Sequence, residues 1–143
     1  MFTQNNLKIL IVDDSPAGAY QTSDTLNQSD LNVSDISIAK SALQAMYLLG
    51  NSYYDCIICN GQLATTTGLE FVQQVKRAGL DQKFILLAGS GVADIESASE
   101  DPAVIAVLAK ATLTSDQICK AIKDSSADII VERRPAVGNA MAW

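Results

Sequence analysis

Four residues in this chain have types and positions that could do chemistry together: Asp13, Asp14, Asn60 and Lys110. The two acids close the apolar run ILIV at 9–12. Asn60 closes DCIIC at 55–59, and Lys110 closes IAVLA at 105–109. If each run is a strand, three strand ends deliver two carboxylates, a carboxamide and an ammonium. With a carboxylate at position 60, such a set would bind Mg²⁺ and offer an oxygen nucleophile to a phosphoryl group. The carboxamide of Asn60 is neutral and weakly nucleophilic, so the set lacks its nucleophile.

The elements that must position these residues follow from the hydrophobic pattern. The runs at 7–12 (LKILIV), 56–59 (CIIC), 84–88 (FILLA) and 104–109 (VIAVLA) are short and unbroken. Such runs suit parallel strands buried on both faces. The run VSDISIA at 33–39 alternates, as an edge strand does. Helical patterns lie between them. Ser15–Pro16 reads as an N-cap followed by proline at the first helical position, opening a helix over 16–28. Ser41 caps a second helix with Ala42, Ala45, Met46 and Leu49 on one face and Gly50 near its end. Gly68 opens a third, with Leu69, Val72 and Val75 before Gly79. A short acidic fourth covers about 92–99. Thr114 or Ser115 caps a fifth, with Ile118, Ala121 and Ile122 inward. The threonines at 65–67 read as a polar loop.

Strands alternating with helices imply a parallel sheet with right-handed crossovers. Five such units predict an α/β, flavodoxin-like, doubly wound fold with strand order 2-1-3-4-5 and helices on both faces. Its ligand end lies at the carboxyl ends of strands 1 and 3, where Asp13, Asp14 and Asn60 fall. The expected organisation is one domain over 1–125, with 1–6 flexible and 126–143 a helix extension or tail. In that tail, Ile129–Val131 would prolong the fifth helix or Trp143 would dock on the surface.

Composition excludes several classes. A net charge of −6 argues against nonspecific binding to nucleic acid or anionic membrane. The N-terminus lacks the layout of a signal peptide, and no apolar run approaches the length of a membrane span. A cytoplasmic location is expected. The absence of histidine removes His-based acid–base and metal chemistry. Cys56 and Cys59 form a CxxC. On a strand, however, they point to opposite faces and lie too far apart for a disulfide, so they read as core residues. GSGVAD at 89–94 lacks the third glycine of a dinucleotide loop and places Asp94 there, which would repel a pyrophosphate.

Residues 8–124 resemble a receiver domain of bacterial two-component signalling. ILIVDDSP resembles the first strand and acidic pair of that family. YDCIICNGQLATTTGLEF resembles the stretch that carries the phosphorylated aspartate. The family's eight-residue spacing from that aspartate to a glycine is met by Asn60 and Gly68, and Lys110 resembles the lysine ending the fifth strand. The resemblance implies that the acid pair and the central aspartate hold Mg²⁺ together with a backbone carbonyl, here that of Gln62. It implies that the lysine contacts the phosphate. A hydroxyl residue ending the fourth strand and an aromatic residue on the fifth would then relay the change.

This chain departs from that pattern at several points. Asn60 stands at the acceptor position, Ala88 at the hydroxyl position (with Ser90 two residues on), Val107 at the aromatic position and Ala111 in place of a proline. The proline of the loop after the acceptor is also absent. The expectation is therefore a stand-alone, non-enzymatic pseudo-receiver that is not phosphorylated at position 60. Asp13 and Asp14 would hold Mg²⁺ weakly at most. Lys110 is expected near Asp13 or Asp14, with Asn60 bridging by hydrogen bonds. Partners would be a histidine kinase or an output-domain protein, reached through 16–28 and the face at 92–124, with a homodimer through that second face. Two other readings stay open: a small-molecule or nucleotide-binding flavodoxin-like protein using the Gly89–Gly91 loop, and a receiver phosphorylated on Asp13 or Asp14.

Overall fold

The unbroken apolar runs become the inner strands of one parallel sheet. In a computed structural model, which describes residues 7–89 and 100–133, with side chains to 125, the sheet has five strands. These are β1 (Leu7–Val12), β2 (Val33–Ala39), β3 (Cys56–Asn60), β4 (Phe84–Ala88) and β5 (Val104–Ala109). Their order is β2-β1-β3-β4-β5 and every pairing is parallel. β1, β3 and β4 are covered on both faces and almost wholly buried. The alternating β2 forms one edge, half-exposed along most of its length. The expected fold class and strand order are both observed.

Four described helices cover the two faces: α1 (Pro16–Asn27), α2 (Ala42–Asn51), α3 (Gly68–Arg77) and α4 (Ser115–Arg133). α2 and α3 pack over Leu10, Val12, Ile57, Cys59 and Phe84, where Phe71 meets Phe84 edge-on at 6.0 Å. α1 and α4 pack over Ile9, Ile11, Cys56, Ile58 and Ile85, with Ile118 fully buried between them. Alternation along β3 places Cys56 in one layer and Cys59 in the other, as the strand period requires. Burial pushes both thiols up to about 12, so they stay protonated and unreactive at neutral pH.

The helix starts carry their own signals. Ser15 accepts from the Gly18 N–H at 3.2 Å, with Pro16 at the first helical position, and Ser41 accepts from the Gln44 N–H at 3.1 Å. Thr67, expected in a loop, instead caps α3. Its Oγ1 accepts from the Glu70 N–H, and Glu70 Oε1 accepts from the Thr67 N–H, each at 3.1 Å. That reciprocal pair is a capping box, legible in the order Thr-x-x-Glu. Thr114 and Gln117 make the same exchange before α4. α3 ends at Arg77 and is followed, after the cap residue Ala78, by Gly79, whose φ of 82° admits no ordinary side chain without strain. α4 continues to Arg133 and so includes the Ile129–Val131 stretch. The helix expected at 92–99, Ser90, Gly91, residues 1–6 with their expected flexibility, and the tail at 134–143 all lie outside the described residues.

Candidate functional site

Strand register brings the chemistry to one edge of the sheet. Val12 pairs with both Ala39 and Cys59, Asn60 pairs with Leu87, and Ala88 pairs with Ala109. The residues that follow Val12 and Ala109, and Asn60 itself, therefore emerge at the same carboxyl end. Asp13 stays in the fold: its N–H continues the ladder by donating to Ala39 O at 3.0 Å, and its side chain is 2% exposed.

Three groups converge on that buried carboxylate. Lys110 Nζ donates to Asp13 Oδ2 at 2.9 Å. Asn60 Nδ2 donates to Oδ1 at 3.4 Å, and the Ser15 N–H donates to the same oxygen at 2.9 Å. Asp13 thus joins a cation, the amide at the acceptor position and the start of α1. Leaving such a carboxylate without its cation costs on the order of 3 kcal/mol.

Asp14 is not part of this cluster. It is exposed and makes no hydrogen bond or ion pair among the described residues. The expectation of a two-acid pocket is corrected in that respect. Consecutive residues leaving a strand point to opposite sides, so one acid turns inward and the next meets solvent. Lys110 accordingly pairs with Asp13, not with Asp14.

Two glycines make the site's close approaches. A β-carbon on Gly18 would stand 2.5 Å from Asp13 Oδ2 and 2.9 Å from Lys110 Nζ. The first turn of α1 can therefore cover the ion pair only because residue 18 has no side chain. A β-carbon on Gly68 would stand 2.9 Å from Asn60 O, and the Gly68 N–H donates to Gly61 O at 2.8 Å. This contact gives the eight-residue spacing a physical reason: α3 begins directly against the end of β3. The importance of Gly18 was not anticipated, and no local pattern in the sequence marks it.

The remaining expected positions surround this cluster. Gln62 is exposed, and its backbone is bridged to Thr67. Ala88 ends β4 half-buried and offers no hydroxyl. Val107 lies on β5 against the α2–α3 core layer, and Ala111 falls in a 3-10 turn at Lys110–Thr112. A groove of about 980 Å³ opens beside the starts of β4 and β5 and is lined by none of the four opening residues. It therefore bears no relation to their chemistry.

The donor set does not fit a tightly held Mg²⁺ in this arrangement. Both oxygens of Asp13 are engaged, one by an ammonium that a cation would have to displace. Asn60 supplies no charge, and Asp14, exposed and unpartnered among the described residues, adds a single carboxylate. Among the described residues no group of three or more His, Cys, Asp or Glu is placed to hold a metal ion.

Comparison with known proteins agrees with the fold. Residues 9–124 match the response regulator receiver domain family. Among solved structures, the chain is similar to a response regulator receiver domain protein from Clostridium thermocellum, with TM-score 0.72, 19% identity, and 87% of this chain and 98% of that one covered. It is also similar to the signal receiver domain of a putative Luxo repressor protein from Vibrio parahaemolyticus, with TM-score 0.73, 17% identity, and 89% and 98% covered. A third is the N-terminal domain of a response regulator/sensory box/GGDEF 3-domain protein from Carboxydothermus hydrogenoformans, with TM-score 0.65, 20% identity, and 85% and 98% covered. At these identities the structural likeness is one of fold. No curated protein matches the sequence.

Proposed function

The chain belongs to the response regulator receiver domain family, and from that premise we propose that it is a two-component signalling domain that works by protein contact without phosphorylation at Asn60. The observation that carries this reading is the direction of the Asn60 amide, which spends its N–H on Asp13 while Lys110 occupies the other oxygen of the same carboxylate. An aspartyl phosphate needs a carboxylate oxygen as nucleophile, and the residue at the acceptor position has none. The Asp13–Lys110 pair replaces the clustered acids that would otherwise need a cation between them.

On this reading the domain is not an enzyme and holds Mg²⁺ weakly at most, through Asp13 and Asp14. The end of the sheet that would start a signal is a fixed, internally neutralised joint. With Ala88, Val107 and Ala111 along the route from site to surface, the domain presents one constant surface. A histidine kinase or an output-domain protein would read that surface through α1 and through the part of the 92–124 face that β5 and the start of α4 form. No helix among the described residues is long and apolar enough to cross a membrane.

Affinity capture from the native host, run before and after incubation with a small phosphodonor and Mg²⁺, tests the proposal. The same signalling protein should be retained in the same amount in both runs. Capture that appears or disappears with the phosphodonor would contradict it.

A further inference from the structure

Asn60 is followed by glycine, and an Asn–Gly pair is a site of spontaneous chemical change. With no β-carbon to shield it, the glycine nitrogen can attack the asparagine side chain. The Gly61 nitrogen loses its proton and bonds to Asn60 Cγ, and the Cγ–Nδ2 bond breaks with release of ammonia. Water then opens the cyclic imide at either carbonyl, leaving aspartate at position 60 or an isoaspartate linkage. Water is the only co-reactant. Burial does not exclude it, because Asn60 and Gly61 are both half-buried.

The packing of the sheet calls for the glycine that makes the pair labile. A β-carbon at position 61 would stand 3.0 Å from Leu87 O and 3.8 Å from Ala88 Cα, so a larger residue would press on the backbone of β4. The same packing clamps the peptide unit between Asn60 and Gly61. The Gly61 N–H donates to Leu87 O at 2.8 Å, continuing the ladder beyond the end of β3. Gly61 O accepts from the Gly68 N–H at 2.8 Å. α3 bears on the unit from its other side: a β-carbon on Gly68 would stand 2.9 Å from Asn60 O and 3.1 Å from Gly61 Cα. Asn60 Nδ2 is itself engaged, donating to Asp13 Oδ1 at 3.4 Å.

Ring closure requires Asn60 to turn out of its extended strand conformation and bring the Gly61 nitrogen onto Cγ. It also requires the Gly61 N–H to give up its proton. Neither is compatible with the bond to Leu87 O. From this geometry we infer that Asn60–Gly61 is a latent modification site, closed by β4 and α3 and reached only when the end of β3 opens locally. Its aspartate product would place a carboxylate at the position that lacks a nucleophile. That consequence rests on the function proposed for Asn60, whereas the closure of the site does not.

The same opening must expose the Gly61 N–H to exchange with solvent. Two unrelated reactions therefore share one gate. Where opening and closing are fast beside the chemistry, both are slowed by the same factor, set by the population of the open form.

Mass spectrometry of the full chain, folded and in concentrated urea at one mildly alkaline pH and without phosphodonor, follows conversion as a gain of about one dalton at Asn60. The folded chain should convert at least ~100-fold more slowly than the denatured chain. Hydrogen exchange at Gly61 in the folded chain should be slowed by the same factor, to within about threefold. A folded chain that converts as fast as the denatured one overturns the proposal. So does one in which Asn60 is preserved while the Gly61 amide exchanges freely, because the clamp is then not what closes the site. Neither result bears on phosphate entry at position 60, which is read from a phosphoryl adduct.

Discussion

Lys110 and Asp13, 97 positions apart in the chain, meet at 2.9 Å around a carboxylate that is 2% exposed. The contact joins the end of β5 to the end of β1 across the middle of the sheet. Asn60 comes to the other oxygen of that carboxylate from β3. The three strand ends whose residue types suggested phosphoryl chemistry are therefore tied to one another.

Asn60→Asp tests that balance. It would set a second carboxylate where the Asn60 amide now donates to Asp13 at 3.4 Å. Like charges at that separation repel by several kcal/mol at an effective dielectric of about 20, which Lys110 offsets in part. We expect a metal-free stability loss of roughly 1–3 kcal/mol and a melting temperature that Mg²⁺ restores. An unchanged melting temperature with no Mg²⁺ response would count against the description. Because Ala88, Val107 and Ala111 remain, the substitution should not by itself restore switching, read as unchanged partner binding with phosphodonor present.

Gly18→Ala should destabilise the fold, although alanine is ordinarily the better helix residue. The new β-carbon would collide with Asp13 Oδ2 and Lys110 Nζ. Either the pair separates or α1 shifts, at a cost of roughly 2–4 kcal/mol in urea unfolding. A gain in stability would show that α1 does not close over the pair.

Asp101 predicts a dependence on pH. Its carboxyl is held below the usual range first by the Ala103 N–H at 3.0 Å and then by Lys76, also at 3.0 Å. A depressed folded-state value means that this contribution is fully present above the ordinary carboxylate range and is lost as pH falls through the folded value. Asp101→Asn should be less stable than wild type at neutral pH, and the gap should close in acid. A gap that persists below the folded value would assign the effect to packing.

Thr67→Ala removes one half of the capping box on α3 and should cost about 1 kcal/mol. Amide exchange should speed up at Glu70, whose N–H loses its acceptor. Equal exchange in both proteins would mean that water replaces the hydroxyl at no cost.

Much of this architecture was legible because burial is written into composition. β1, β3 and β4 are covered on both faces, so their runs are unbroken, and the expected boundaries agree closely with the observed ones. Asp13, Asn60 and Lys110 were legible as strand ends. The orientation of Asp14 was not, because neighbouring acids look alike until the strand period places one inside. Gly18 was hidden because its constraint comes from the Asp13–Lys110 pair, which forms only when the ends of β1 and β5 are brought together. Thr67 did carry its signal, in Glu70 three residues on, but the run of threonines before α3 read as a polar loop.

The claim that phosphate does not enter through position 60 has a direct measurement. Wild type and Asn60→Asp are incubated side by side with a small phosphodonor and Mg²⁺, and intact mass is followed over time. Wild type should gain no phosphoryl group while the variant, supplied with a nucleophile, serves as the control that can. A phosphoryl adduct on the wild-type chain, at Asp13, Asp14 or elsewhere in this site, would contradict the account.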